Sequence, residues 1–159
     1  MSHLEELGLE RCSVESQGVN DRLALLVYRA GIEVLARGEA ALKEELGIGG
    51  RDYSTLAILV TDQPESQQEL ARLIGKAPPV MVAALDELEE RGLVARRRST
   101  RDRRRTVVEV TDAGREMLAK ADAIADRLME EIFGALTADE RAGLHDTLRR
   151  AMAADVVPA

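Results

Sequence analysis

The stretch LEERGLVARRRSTRDRRRTVVEVT, residues 88–111, decides the fold. Its first residues close a helical pattern, and Gly92 stands where a helix ends in the left-handed conformation. Leu93 to Arg98 can extend, and Thr106-Val107-Val108-Glu109-Val110 is β-branched and strand-like. Ser99 to Arg105 lies between them as a polar hairpin loop. Arg91, Arg96, Arg97, Arg98, Arg101, Arg103, Arg104 and Arg105 oppose Asp102 alone, so residues 91–105 carry +7. The whole chain carries −7, which leaves −14 on everything else. A charge run on a loop is ordinarily just a solvated surface. Here the crowding tells against that, because eight arginines on one hairpin repel each other unless an anion gathers them. The choice of Arg over Lys favours planar, multidentate contact with phosphate or with a narrow groove.

On the N-terminal side, Ser66-Gln67-Gln68-Glu69 is a capping box, and Leu70, Leu73 and Ile74 give a short amphipathic helix closed by Gly75. Pro78 and Pro79 suit a helix start, where their missing amide hydrogens cost nothing. Met81, Ala84, Leu85 and Leu88 form the inward stripe of that helix. Two short helices, a tight turn and a basic hairpin make a helix-turn-helix with a wing.

Farther out, Asn20 is a good N-cap for a helix in which Leu23, Val27, Ala30 and Val34 recur at helical spacing. Leu26, Ile32 and Leu35 widen its apolar surface beyond one stripe, so it is expected to bury two sides. It should end near Leu46, at Gly47, Gly49 and Gly50, before a short helix over 51–61. After the hairpin, Thr111 caps a long helix with Met117, Ala121, Ile124, Leu128 and Ile132 on its apolar face. Thr137-Ala138-Asp139-Glu140 opens a last helix with Leu144, Leu148 and Met152 along one side. Residues 1–18 read as a loosely ordered arm. The fold class is mainly α with a small β-hairpin wing.

Composition removes several functions. A chain of 159 residues is one domain, or one with an appended helical element. Aromatic residues are 2%, namely Phe133, Tyr28 and Tyr53, too few for a stacking platform on single strands. One Cys and two His build neither a zinc site nor a disulfide framework, and no cofactor or metal is expected. His3 and His145 belong to no catalytic constellation, and Gly47-Ile48-Gly49-Gly50 is a helix break rather than a phosphate loop. Pairs such as Glu44-Glu45, Glu89-Glu90 and Glu130-Glu131 read as solvated helix faces. No catalysis is expected. Glu5, Glu6 and Glu10 stand where a leader would be basic, and apolar runs stop at four or five residues, so a cytoplasmic location is expected.

Leu88-Glu89-Glu90-Arg91-Gly92-Leu93-Val94, the wing ending Asp102-Arg103-Arg104, and Val110-Thr111-Asp112-Ala113-Gly114 together resemble the MarR family of winged-helix transcriptional regulators, over about residues 20–152. The resemblance implies a homodimer on a pseudo-palindromic duplex operator, with a repressor preferred to an activator. It assigns residues 19–46 and 112–159 to dimerisation and 47–111 to the winged helix-turn-helix. Lys76 to Arg91 becomes the recognition helix and 99–105 the wing tip. In the family pattern Asp102 holds the loop, Arg104 enters the minor groove, and Arg101 and Arg103 flank it on phosphate. Ser66, Gln67, Lys76, Arg97, Arg98 and Arg105 complete the basic and polar part of the candidate DNA-binding set. An anionic, phenol-like effector is also implied, with Tyr28, Arg29, Arg51 and Tyr53 as candidates near the junction of the first two helices.

Two departures shape the expectation. The family presents Ser, Thr and Arg near the start of the recognition helix. Here the outward strip is Pro79, Val82, Ala83, Asp86 and Glu87, without a hydrogen-bond donor. Val82 and Ala83 are therefore expected against thymine methyls, with wing and groove shape carrying much of the binding. Peroxide-sensing members carry a Cys in the first helix, where Ala24 stands here; Cys12, in the arm, has only Arg11 as an adjacent cation and is expected to be a bystander. The apolar strip keeps a second reading open, a winged-helix protein-interaction module whose basic wing docks an acidic partner.

Overall fold

A computed structural model describes residues 22–64, 66–75, 77–98 and 106–153. The chain runs α1 (Leu23–Leu46), α2 (Gly50–Thr61), α3 (Gln67–Ile74), α4 (Pro78–Glu90), β1 (Val94–Arg98), β2 (Thr106–Val110), α5 (Asp112–Ile132) and α6 (Ala138–Ala153). This is the expected order, mainly helical with one antiparallel hairpin.

Local chemistry sets most boundaries. Gly47, Gly75 and Gly92 all take positive φ. Gly47 and Gly75 close α1 and α3 with amides donating back into the last turn. Ser66 Oγ accepts from the Glu69 amide at 3.1 Å, the expected cap of α3. Thr111 Oγ1 accepts from the Gly114 amide at 3.1 Å to start α5. At α6 the full box forms: Glu140 Oε2 accepts from the Thr137 amide at 2.8 Å, and Thr137 Oγ1 from the Glu140 amide at 3.3 Å. The start of α1 differs from expectation. Asn20 lies outside the described residues, and α1 begins after Arg22, which makes no side-chain cap bond.

Packing divides into two clusters. Leu56, Leu59, Leu70, Ala71, Met81, Ala84, Leu85, Leu88, Leu93, Val94 and Leu118 bury the helix-turn-helix against the hairpin and α5. All four inward residues read for α4 are in it, each at most 1% exposed. Truncating a side chain such as Leu85 to Ala would cost about 2–5 kcal/mol. Leu42, Ile48, Ala121, Ile124 and Leu128 join the end of α1 to α5. Tyr53 and Met117 pack against both clusters. On α5, Ala121, Ile124 and Leu128 are buried as expected, whereas Met117 and Ile132 are half-buried and Leu118, outside the expected stripe, is buried.

The terminal helices are bare within one protomer. α1 buries only Leu42, and Leu23, Leu26, Val27, Tyr28 and Leu35 stay exposed, so the expected second side is not covered among the described residues. No residue of α6 is buried, and Leu144, Leu148 and Met152 face outward.

Candidate nucleic-acid interface

α4 sits on the outside of the helix-turn-helix because its inward stripe is consumed by the core. Its opposite face exposes Pro79, Val80, Val82, Ala83, Asp86 and Glu87, which contains the whole strip read from the sequence. Pro78 and Pro79 occupy the first helical positions, so two amides that could meet an anion are absent. Ser66 and Gln67 begin α3 and are half-buried, with Ser66 engaged in its cap. Lys76 and the wing tip, including Arg101, Asp102, Arg103, Arg104 and Arg105, lie outside the described residues.

The hairpin register pairs Val94 with Val110, Arg96 with Val108, and Arg98 with Thr106. Alternation therefore puts Val94, Arg96 and Arg98 on one face and Ala95 and Arg97 on the other. Val94 is buried in the core, so Arg96 is directed toward α4. Its Nη2 reaches Asp86 Oδ1 at 2.6 Å, its Nη1 donates to Glu89 Oε2 at 2.6 Å, and its amide donates to Glu89 Oε1 at 2.8 Å. That amide and guanidinium hold the Glu89 carboxyl below its ordinary value. On the outer face, Arg97 Nε lies 3.1 Å from Glu109 Oε2. Arg98 is exposed and has no ion-pair partner among the described residues.

The arginines of the basic window thus divide. Arg91 donates to the Gly47 carbonyl at 3.0 Å and lies 3.5 Å from the Leu46 carbonyl, setting a cation at the C-terminus of α1. Arg96 is absorbed by α4. Arg91 keeps its charge, but the carboxylates set against Arg96 and Arg97 make the field of the window smaller than its formal +7. The sequence reading counted Arg96 but missed its role. The period of two from buried Val94 could have shown it facing the helix.

The candidate effector residues do not form one group in a protomer. Tyr28 and Arg29 lie on the first turns of α1, about 26 Å from its end at 1.5 Å per residue. Their expected place at the junction with α2 is corrected by the length of that helix. Arg51, on the first turn of α2, pairs with Glu87 of α4 and lies 3.1 Å from Asp52 Oδ1. Tyr53 donates to Asp122 Oδ1 at 2.9 Å, tying α2 to α5. Burial and that hydrogen bond push its phenol up to about 12. Nearby, Glu39 Oε2 accepts from the Gly50 amide at 2.6 Å, and the Lys43 ammonium and this amide hold the Glu39 carboxyl below its ordinary value. The start of α2 is therefore capped by the chain's own carboxylates, with Asp52 Oδ2 accepting from the Gly49 amide at 3.3 Å.

Among the described residues no three His, Cys, Asp or Glu side chains converge as metal ligands. No described helix is long and apolar enough to cross a membrane.

The comparisons with known proteins agree on one family. The MarR family model matches residues 51–106, from α2 through the hairpin. An HTH-type transcriptional regulator of Bacillus subtilis (strain 168), YdgJ, is 33% identical over 104 residues, which is 65% of this chain and 63% of that protein. The structure of CouR from Rhodococcus jostii RHA1 bound to p-coumaroyl-CoA superposes with a TM-score of 0.72 at 30% identity, covering 90% of this chain and 100% of that one. A MarR-family transcriptional regulator from Rhodococcus sp. RHA1 gives 0.70 at 31% identity, over 84% and 94% of the two chains. With a regulator of that family 31% identical and covered over 94% of its length, the chain belongs to the MarR family of winged-helix transcriptional regulators.

Proposed function

We propose that the protein is a homodimeric, sequence-specific duplex-DNA-binding repressor, with α4 in the major groove and the arginine wing in the minor groove. The observation that carries this is the placement of α4. Its apolar face is locked in the core, while Pro79, Val82 and Ala83 are exposed and Asp86 of the same helix is met by Arg96 of the strand leading to the wing. Val82 and Ala83 suit thymine methyls, and Arg97, Arg98, Arg101, Arg103, Arg104 and Arg105 suit phosphate and groove. Residues 19–46 and 112–159 form the dimerisation region, supported by the bare apolar faces of α1 and α6. Residues 47–111 form the reading unit, and Asp102 holds its wing tip.

An anionic aromatic effector fits the same frame, since CouR is bound to p-coumaroyl-CoA. Tyr53, at the contact of α2 with α5, is the candidate contact best placed to feel such a ligand. A shift there would alter the spacing of the two recognition helices, which must match grooves about 34–36 Å apart.

The test is fluorescence anisotropy with the DNA upstream of the protein's own gene. Affinity should fall by orders of magnitude between about 50 and 200 mM salt. Arg104→Ala should weaken binding and reduce the salt slope by about 1. Salt-insensitive binding, or none to any duplex, overturns the proposal in favour of the protein-interaction module.

A further inference from the structure

We propose that Arg51 and Arg96 are positioning residues of the recognition helix, which cancel the carboxylates of Glu87 and Asp86 beside its apolar strip and so let α4 approach a polyanion. The inference rests on the DNA-binding reading above. Between Pro78 and Glu90, α4 carries Asp86, Glu87, Glu89 and Glu90 and no basic residue. Such a helix laid along a duplex brings like charge against phosphate, and like-charge juxtaposition is among the strongest ways to suppress an association.

The fold answers this from two sides. β1 supplies Arg96, whose guanidinium is shared between Asp86 at 2.6 Å and Glu89 at 2.6 Å, one turn apart on α4. α2 supplies Arg51, which pairs with Glu87 and is steadied by Asp52 at 3.1 Å. Three of the four carboxylates are thereby engaged, by arginines from separate elements. The side chains of Asp86 and Glu87 are 53% and 58% exposed, so they lie at the surface that meets a partner rather than in the core. Ion pairs this exposed add little to folding. What they change is the charge that α4 presents, and the angle at which it is held between α2 and the wing strand.

Charge cancellation and a merely structural brace differ in one respect: cancellation becomes unnecessary once the carboxylate is gone. The experiment measures anisotropy of labelled upstream DNA against the full chain at about 50 and 200 mM salt. The variants are Arg96→Gln, Arg96→Gln with Asp86→Asn, Arg51→Gln, and Arg51→Gln with Glu87→Gln, each checked by thermal melt. Each single variant is expected to bind about tenfold more weakly at the lower salt, with a smaller deficit at the higher salt as screening weakens the repulsion. Each double variant is expected to recover most of that loss. If Arg96→Gln does not fold, the Arg51 pair decides alone. Doubles no tighter than their singles, or singles equal to wild type, overturn the proposal while leaving the DNA reading intact. A wild-type protein that binds no duplex overturns the DNA reading itself.

Discussion

At the scale of single residues, two positions do work that the sequence pattern does not announce. Tyr53 touches both packed clusters and donates to Asp122. Burial and that bond favour the neutral phenol and raise it to about 12 from its ordinary value near 10. A group raised in the folded state stabilises fully below its unfolded value and loses that contribution as pH climbs to the folded one. Stability should therefore decline between about pH 10 and 12, and Tyr53→Phe should remove that part of the decline. In a Tyr28→Phe background, phenolate absorbance isolates Tyr53, and a midpoint near 10 would contradict the assignment. Gly114 carries the opposite lesson about helical glycines. Replacing Gly by Ala inside a helix usually gains about 1 kcal/mol. Here a Cβ would stand 2.1 Å from the Leu93 carbonyl oxygen and 2.7 Å from Val110 Cγ1. Gly114→Ala should instead destabilise by at least about 2 kcal/mol, measured by denaturant melt. The residue was visible in the sequence only as part of a motif, because its reason is a backbone that approaches from residues 21 positions away.

At the scale of elements, local signals set most helix starts, that of α1 excepted, and long-range pairings were not legible. Caps, prolines and glycines act on their own neighbours, so α3, α4, α5 and α6 begin where Ser66, Pro78, Thr111 and Thr137 predict. The inward stripe of α4 was legible for the same reason, since a period near 3.6 needs only one helix to express it. The arginine pairings were not, because Arg51 and Glu87 lie 36 positions apart and meet only when α2 packs beside α4. Thr111 shows both kinds of information at once. Its hydroxyl caps α5 through Gly114, as expected, and also lies 2.7 Å from the Gly92 carbonyl and 3.2 Å from that of Leu93. It thus fastens the end of the hairpin to its beginning. Ser66→Ala loses a cap alone and should cost about 1 kcal/mol. Thr111→Ala loses the cap and the clasp and should cost about 2 kcal/mol, with Thr111→Ser recovering most of it. Equal losses in the two Ala variants, by chemical denaturation, would show that the clasp contributes nothing.

At the scale of the molecule, the decisive feature is what a single protomer leaves undone. The formal −7 conceals a basic window within a chain whose remaining residues carry −14, a distribution that on the proposed reading would turn the window toward DNA. Within the window Arg96 is taken up by Asp86 and Glu89 and Arg97 by Glu109, while Arg98 is exposed with no ion-pair partner among the described residues. The apolar surplus is just as uneven. Leu23, at the start of α1, is 76% exposed and Met152, near the end of α6, also 76%. Bare faces of this kind, on the first turns of α1 and along α6, suit a second copy. Leu148 lies in the middle of the α6 stripe, and Leu148→Glu replaces it with a good helix former that cannot be buried unpaired. The variant should keep its helical circular dichroism, sediment as a monomer where the wild type sediments as a dimer, and bind half-sites only singly. Because two linked half-sites raise avidity by about 10²–10⁴, binding to the full operator should weaken within that range while a half-site is bound as before. A dimeric Leu148→Glu protein with unchanged operator affinity would place the partner surface elsewhere, on the first turns of α1 alone, and Leu26→Glu would then produce the monomer instead.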